Sequence, residues 1–216
     1  MIDVEAVLAL HEQTVAEWHA AAIANRYDGV MGIICNQHSF NYALWHEEDL
    51  ARSRGVSDAK IAAVKRNIDR LNQQRNDAIE EVDAWIANYL LQPSSFTANA
   101  EPYPEELPMN TETPGSAIDR LSIMALRIYH FREQLERQDV DEPHRESVRQ
   151  KLQQCEEQKQ DLARALQQLL DDLQRGVKRH KVYRQFKMYN DPTLNPYLYE
   201  SKRSKHFPSD PRGRAI

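Results

Sequence analysis

Asn110-Thr-Glu-Thr-Pro-Gly-Ser-Ala-Ile-Asp-Arg-Leu-Ser-Ile-Met-Ala-Leu-Arg-Ile-Tyr-His130 is a polar, glycine-containing turn that runs straight into an apolar helix. Pro114 suits a first helical position, where its missing N–H costs nothing. Thr113 or Ser116 can cap the free backbone N–H groups. Ile118, Leu121, Met124 or Ala125, Ile128 and Phe131 then recur at spacings of three and four, which is the mark of a buried helix face. Asp119 near the start suits the helix dipole, whereas Arg120 does not. A helix start with free N–H groups, Gly115 and a nearby arginine is a place where an anion can sit. The plainer alternative is an ordinary capped core helix.

Working outward, the spacing predicts a helix over 114–137, a turn at Asp139 and a long helix over 142–175 capped by Asp141. The stripe of that last helix is Val148, Leu152, Cys155, Lys159, Leu162, Leu166 and Leu169, with Lys159 interrupting the apolar run. The same hairpin recurs 84 residues upstream: His46 maps to His130, Trp45 to Tyr129, Val64 to Val148, Gln74 to Gln158 and Arg75 to Lys159. Gly55 and Asp139 fall at the same turn, with Ser57 and Asp141 as matching caps. The first hairpin therefore spans 34–91, with helices over about 34–53 and 58–91. Its second stripe is Ile61, Val64, Ile68, Leu71, Arg75, Ala78, Val82, Trp85 and Tyr89, and a basic residue in such a stripe needs a partner. Two hairpins related by a pseudo-twofold give an all-α, antiparallel four-helix bundle.

The remaining segments fit around that bundle in a single domain. Val4, Val7 or Leu8, His11, Val15, Trp18 and Ala22 predict an N-terminal helix over 3–25, broken at Asn25 to Gly32. His11 and His19 on such a face read as hydrogen-bonded core histidines. Residues 92–113 form a proline-rich linker with Pro93, Pro102, Pro104 and Pro108. Residues 176–216 form a basic, aromatic tail, in which Val182, Tyr183, Phe186, Met188, Tyr189 and Leu194 predict docking in irregular form over 181–196 and fraying after about 203.

Composition narrows the functional classes. The net charge is −5, but from Gly176 onward ten Lys/Arg stand against three Asp/Glu, so that segment carries +7 and the rest −12. Aromatics and prolines interrupt the basic residues, so nucleic acid is not the expected partner. Cys35 and Cys155 make no disulfide framework. No apolar run approaches a membrane span, and the acidic start Met1-Ile-Asp-Val-Glu-Ala lacks the form of a signal peptide. The expected location is the cytoplasm. His46 stands beside Glu47, Glu48 and Asp49, yet consecutive helical positions point in different directions and no E-x-x-H or H-x-x-x-H spacing is present. No metal is expected from that pattern, and the residues imply no cofactor, reaction or oligomeric state.

Asn41-Tyr-Ala-Leu-Trp-His-Glu-Glu-Asp-Leu-Ala-Arg52, the Asn110–Ile123 stretch, and Lys181-Val-Tyr-Arg-Gln-Phe-Lys-Met-Tyr-Asn-Asp-Pro-Thr-Leu-Asn-Pro196 together resemble a bacterial family of unknown function, number 4254. The resemblance covers nearly the whole chain. It implies no assigned catalytic residue. Its context implies involvement in cell-envelope glycan or lipopolysaccharide assembly.

The candidate site follows from register. Lys159 and Asp119 each lie twenty residues from the turn at Asp139, and Arg75 lies twenty from Gly55, with Cys35 twenty back and Asn36 and His38 nearby. At about 1.5 Å per residue, these positions fall at one level of the bundle. The expected ligand site is Arg75, Asp119, Arg120 and Lys159, with Glu112, Thr113, Gly115 and Ser116 at the helix start, His38 and Asn41 in the same layer, and Lys187 or Arg184 arriving from the tail. Two cations against one carboxylate leave spare positive charge for a phosphorylated small molecule such as a sugar phosphate or nucleotide sugar. The competing readings are a non-catalytic interaction module with a glycan-assembly protein partner, and a magnesium-dependent nucleotide pyrophosphatase. The last needs a second acidic pair facing Glu47, Glu48 and Asp49 that the sequence does not supply.

Overall fold

A computed structural model of the chain describes residues 1–91, 106–188 and 191–199. The chain divides into two units, Met1–Tyr183 and Arg184–Ile216. The described residues of both contain helices and no strand.

The first unit holds five helices: α1 (Val4–Ala20), α2 (Gly29–Ala51), α3 (Asp58–Leu90), α4 (Pro114–Glu136) and α5 (Glu142–Gln174). Each start has its chemical reason. Asp3, Ser57, Thr113 and Asp141 occupy the N-caps of α1, α3, α4 and α5, and each side chain accepts a backbone N–H three residues on. Of the two capping candidates for α4, Thr113 takes the role, with Pro114 behind it. Gly55 turns between α2 and α3 with φ +77°, in the left-handed region that favours glycine.

The connection between α1 and α2 departs from the expected one. Helix α1 stops at Ala20 rather than residue 25, and α2 starts at Gly29 rather than residue 34. Two features explain this. The Asn25 side chain organises the connection, donating to the Gly32 carbonyl at 2.8 Å and accepting from the Tyr27 N–H at 3.0 Å. Gly32, read from sequence as part of a break, is instead a packing glycine inside α2. A Cβ there would come within 2.6 Å of the Tyr27 carbonyl oxygen.

Helix α2 packs along α3 and α4 along α5, giving the two expected hairpins, and α2 and α3 both lie against α4. Helix α1 lies against α4, α2 and α5. Residues related by the 84-residue offset face each other where α2 crosses α4. His38 Nδ1 lies 2.7 Å from Ser122 Oγ, and the His46 and His130 ring centroids are 5.9 Å apart. Self-equivalent contacts of this kind are what a pseudo-twofold axis between α2 and α4 requires.

The main core joins Val7, Ile34, Val82, Ile86, Ile118, Leu121, Leu166 and Leu170, all at most 1% exposed. Along α3 the buried stripe follows Val64, Ile68, Leu71, Ala78 and Val82 as read, then drifts by one position to Asp83, Ile86 and Leu90. A 3.6-residue period makes a long straight helix drift in this way against a fixed pattern. Trp85 and Tyr89, read as core, instead lie partly buried and stacked on one another at 5.4 Å. Cys35 and Cys155 are buried free thiols.

The expected linker lies mostly outside the described residues, as does the expected fraying after residue 203. After α5 the chain turns at Gly176, φ +67°, and the Arg179 N–H donates to the Pro108 carbonyl at 3.1 Å. Of the tail expected to dock over 181–196, residues 181–183 belong to the first unit. In the second unit the turn signals act locally. Asp191 accepts the Thr193 N–H at 2.7 Å, Asn195 accepts the Tyr197 N–H at 3.0 Å, and a short α6 (Pro196–Tyr199) follows. Among the described residues no helix is long and apolar enough to cross a membrane.

Candidate functional site

The start of α4 is built against α3. The Gly115 N–H donates to Asp83 Oδ1 at 2.8 Å in a buried contact. The free N–H end of α4 is therefore satisfied by a carboxylate of the chain itself. Burial pushes the Asp83 carboxyl above its usual range, against the opposing pull of hydrogen bonds from Thr113 and Gly115 and of the nearby His180. His180 Nε2 donates to the Asp83 backbone carbonyl at 2.9 Å. The anion expected at this helix start is thus internal.

Gly115 is required by this approach rather than by backbone conformation. A Cβ would meet the Ile79 carbonyl oxygen at 2.6 Å and Asp83 Oδ1 at 2.9 Å. Gly115→Ala is expected to push α4 off α3 and to cost about 1–3 kcal/mol, the usual cost of overpacking. A urea titration checks it: an unchanged midpoint would show that the helix start yields freely.

One turn further into α4, Asp119 is 3% exposed and gathers a polar layer. Arg75 clamps it side-on: Nε donates to Oδ1 at 2.8 Å and Nη2 donates to Oδ2. Asn41 Nδ2 donates to Oδ1 at 2.9 Å and to Ser122 Oγ at 2.8 Å. Gln37 Nε2 also donates to Oδ1, and Ser122 meets His38 Nδ1. Arg75 is held charged mainly by its hydrogen bonds to Asp119, which raise its pKa against the opposing effect of burial. Of the residues placed by register, Arg75, Asp119 and His38 come together here, and the further candidate Asn41 joins them, whereas Asn36 accepts from Asn25 instead.

Register does not bring Lys159 to them by any recorded contact. Lys159 lines a small cavity on another face of α4, with Leu8, His11, Glu12, Val15 and Arg132 among its neighbours. The Glu12 carboxylate there is held below its usual range, first by its hydrogen bond from Arg132 and also by the Lys159 charge. The reason is local to the repeat. Arg75 finds Asp119, but the repeat equivalent of Asp119 is Cys35, and Glu12 of the added helix α1, paired with Arg132, lines the cavity with Lys159 instead. Glu112 and Arg120 pair with each other at 2.7 Å near the surface. Ser116 Oγ accepts from the Thr113 hydroxyl at 3.2 Å. Lys187 and Arg184 belong to the second unit.

Arg75 opens on its outer side, 26% exposed, into a cleft of about 350 Å³ between α2, α3 and α4. The walls are Asn41, Trp45, Asn72, Arg75 and Ile123, and Glu48, Asp49 and Arg52 stand at the acidic and basic rim. Arg52 pairs with Glu48 at 2.6 Å. Arg75 uses Nε and Nη2 on Asp119.

The model of a family described as "Protein of unknown function (DUF4254)" matches residues 31–182. The chain belongs to this family. The match takes in α2 from Met31 onward and α3 to α5 whole, and with them Gln37, His38, Asn41, Arg75, Asp119 and Ser122. Two of the motifs read from sequence lie within it, whereas Lys181–Pro196 runs past its end. No curated protein and no solved structure matches the chain.

Sequence reading missed Asp83, Gln37, Ser122 and His180. Ser122 carried a signal, since it is His38 displaced by the repeat offset. Asp83 carried a weaker one in the run Val82, Ile86 and Leu90, which puts the buried face one residue away from Trp85.

Proposed function

We propose that this protein binds an anionic sugar derivative, of the sugar-phosphate or nucleotide-sugar class, in the cleft between α2 and α3. The observation that carries the reading is the side-on hold of Asp119 on Arg75, with the guanidinium partly exposed in the wall of the cleft. A guanidinium fixed by a buried carboxylate loses little entropy when it meets a phosphate oxygen. Trp45 offers a ring face for a sugar, and Asn41, Glu48 and Asp49 offer partners for hydroxyls. A ligand of mixed character suits this lining better than a bare phosphate, because the rim carries both signs of charge. A role in cell-envelope glycan assembly agrees with such a ligand and rests on the family resemblance.

The test is isothermal titration of the full chain with sugar phosphates and nucleotide sugars, with and without Mg²⁺. Binding by the wild type that is lost in Arg75→Met and weakened in Trp45→Ala supports the reading. Equal binding by Arg75→Met, or none by the wild type, overturns it. A second reading, a non-catalytic interaction module, is favoured by one observation: the polar layer satisfies its own charges, as a register-setting device would. A stable protein partner in pull-down, with no ligand binding, would favour it. Phosphate release dependent on Mg²⁺ would favour the pyrophosphatase reading, although Glu47 is bonded to Asn67 and Glu48 to Arg52.

A further inference from the structure

Away from the cleft, three helices bring three imidazoles to one point. His19 comes from the last turn of α1, His46 from α2 and His130 from α4, and one ring nitrogen from each lies within 4.8 Å of the other two. The ring centroids form a near-equal triangle, at 5.2 Å for His19–His46, 5.1 Å for His19–His130 and 5.9 Å for His46–His130. Neighbouring rings fix their planes. Tyr129 stacks on His19 at 4.2 Å, Trp45 stacks on His130 at 4.8 Å, and Tyr42 meets His46 edge-on at 4.6 Å.

The hydrogen bonds decide which nitrogens are available. His19 Nδ1 donates to the Val15 carbonyl at 2.7 Å, and His130 Nδ1 donates to Glu133 Oε2 at 2.6 Å. A carbonyl and a carboxylate accept only, so both neutral rings carry their proton on Nδ1 and leave a lone pair on Nε2. The Nε2 atoms of His19, His46 and His130 are all buried, and none has a hydrogen-bond partner. With His46 in the same tautomer, one water could donate to two of the three lone pairs but not to all three. A cation can take all three at once.

We propose that His19, His46 and His130 bind one divalent first-row transition-metal ion, with Zn²⁺ as the representative, through their three Nε2 atoms. Three imidazoles suit Zn²⁺ and its neighbours rather than Mg²⁺ or Ca²⁺, which take oxygen ligands. Zinc–nitrogen bonds of about 2.0–2.1 Å require the nitrogens to draw in to about 3.3 Å from one another, a movement within reach of side-chain rotation. Glu133 behind His130 and the Val15 carbonyl behind His19 are the outer partners that orient ligating imidazoles. Three protein ligands leave a fourth position for water or an exchangeable ligand, the pattern of a reactive rather than a closed structural site. The argument from E-x-x-H and H-x-x-x-H spacing does not reach this group, because each ligand lies on a different helix. His46 and His130 are repeat equivalents meeting at the pseudo-twofold axis, and the third ligand comes from α1, outside the repeat.

The test uses the full chain without a histidine tag, stripped with chelator and titrated with Zn²⁺ against a chromophoric competitor. One equivalent per chain is expected. His19→Gln, His46→Gln and His130→Gln should each weaken binding by at least about 100-fold, and Glu133→Gln by about 10–100-fold, as loss of an outer partner does. His144→Gln, on α5, should leave it unchanged. Co²⁺ should give the intense visible absorption of a four-coordinate ion, which disappears in His46→Gln. Circular dichroism checks that each variant is folded. If a ligand variant fails to fold, the Glu133→Gln titration and the wild-type Co²⁺ spectrum still decide the matter. Absence of stoichiometric binding, a six-coordinate Co²⁺ spectrum, or an unchanged affinity in folded ligand variants overturns the proposal. That failure would leave the Arg75 cleft standing, since its ligands are read by a separate titration and a separate variant.

Discussion

Asp119→Asn is expected to destabilise the fold by about 3–5 kcal/mol, the range for breaking a buried ion pair by removing one partner. Asp119 is 3% exposed and receives Arg75, Gln37 and Asn41 from two helices. An asparagine keeps the shape but offers one acceptor oxygen and one amide that can only donate. The guanidinium would then lose one of its two acceptors and its counter-charge, while Gln37 and Asn41 would compete for the remaining oxygen. The partial exposure of Arg75, 26%, admits water to that side and places the expected cost toward the lower end of the range. Removing both charges distinguishes an unpaired charge from lost packing. Asp119→Asn combined with Arg75→Met should cost less than Asp119→Asn alone, because no charge is then left buried without a partner. Urea midpoints of the three proteins give the answer. A cost below about 1 kcal/mol for the single variant, or a double variant worse than the single, would show that the pair does not hold α3 to α4 in this way.

The pair was legible in the sequence because a long helix is a ruler. Counting twenty residues from each turn put Arg75 and Asp119 at one level before any contact was known, and the buried basic position demanded an acid. The same ruler failed for Lys159, since it measures height along the bundle and not direction around it. Lys159 has the height of Arg75 but lines a cavity with Leu8, His11 and Glu12 of α1, where its charge helps to hold the Glu12 carboxyl low. The helix caps were legible because Ser57, Thr113 and Asp141 act over three residues. Asp83 was hidden by drift of the 3.6 period over a helix of 33 residues. The three histidines were hidden for a different reason. Their sequence separations carry no pattern until the crossing of α2 and α4 and the lie of α1 are known, and only the offset of 84 between two of them hinted at it.

The fold is also expected to lose stability steadily between about pH 6.5 and pH 3, through two core histidines. His11 is 0% exposed and neither ring nitrogen has a partner. Burial lowers its pKa from 6.5 to about 3. His38, packed against it at 4.5 Å between centroids, is lowered well below the usual value by burial and then by His11 itself. A histidine whose folded pKa is depressed stabilises the protein fully above its unfolded value. That stability is lost as pH falls toward the folded value, because the unfolded chain takes the proton first. At about 1.4 kcal/mol per unit, the shift of His11 alone is worth roughly 5 kcal/mol across this window. Asp83 works in the opposite direction, since its raised carboxyl pKa favours the folded state as acid protonates it, and it offsets part of the loss at the low end. Lys159, Arg132 and Glu12 line the same cavity as His11, and Glu12 is engaged with Arg132. His11→Leu removes the proton-binding group without leaving a hydrogen-bond partner orphaned, so it should keep the fold at neutral pH. Urea midpoints at pH 7.5, 5.5 and 4.5, measured with chelator present so that metal binding does not enter, should fall steeply for the wild type and clearly less for His11→Leu. Parallel curves for the two proteins would mean that the acid sensitivity arises elsewhere and that His11 is not held neutral by its burial.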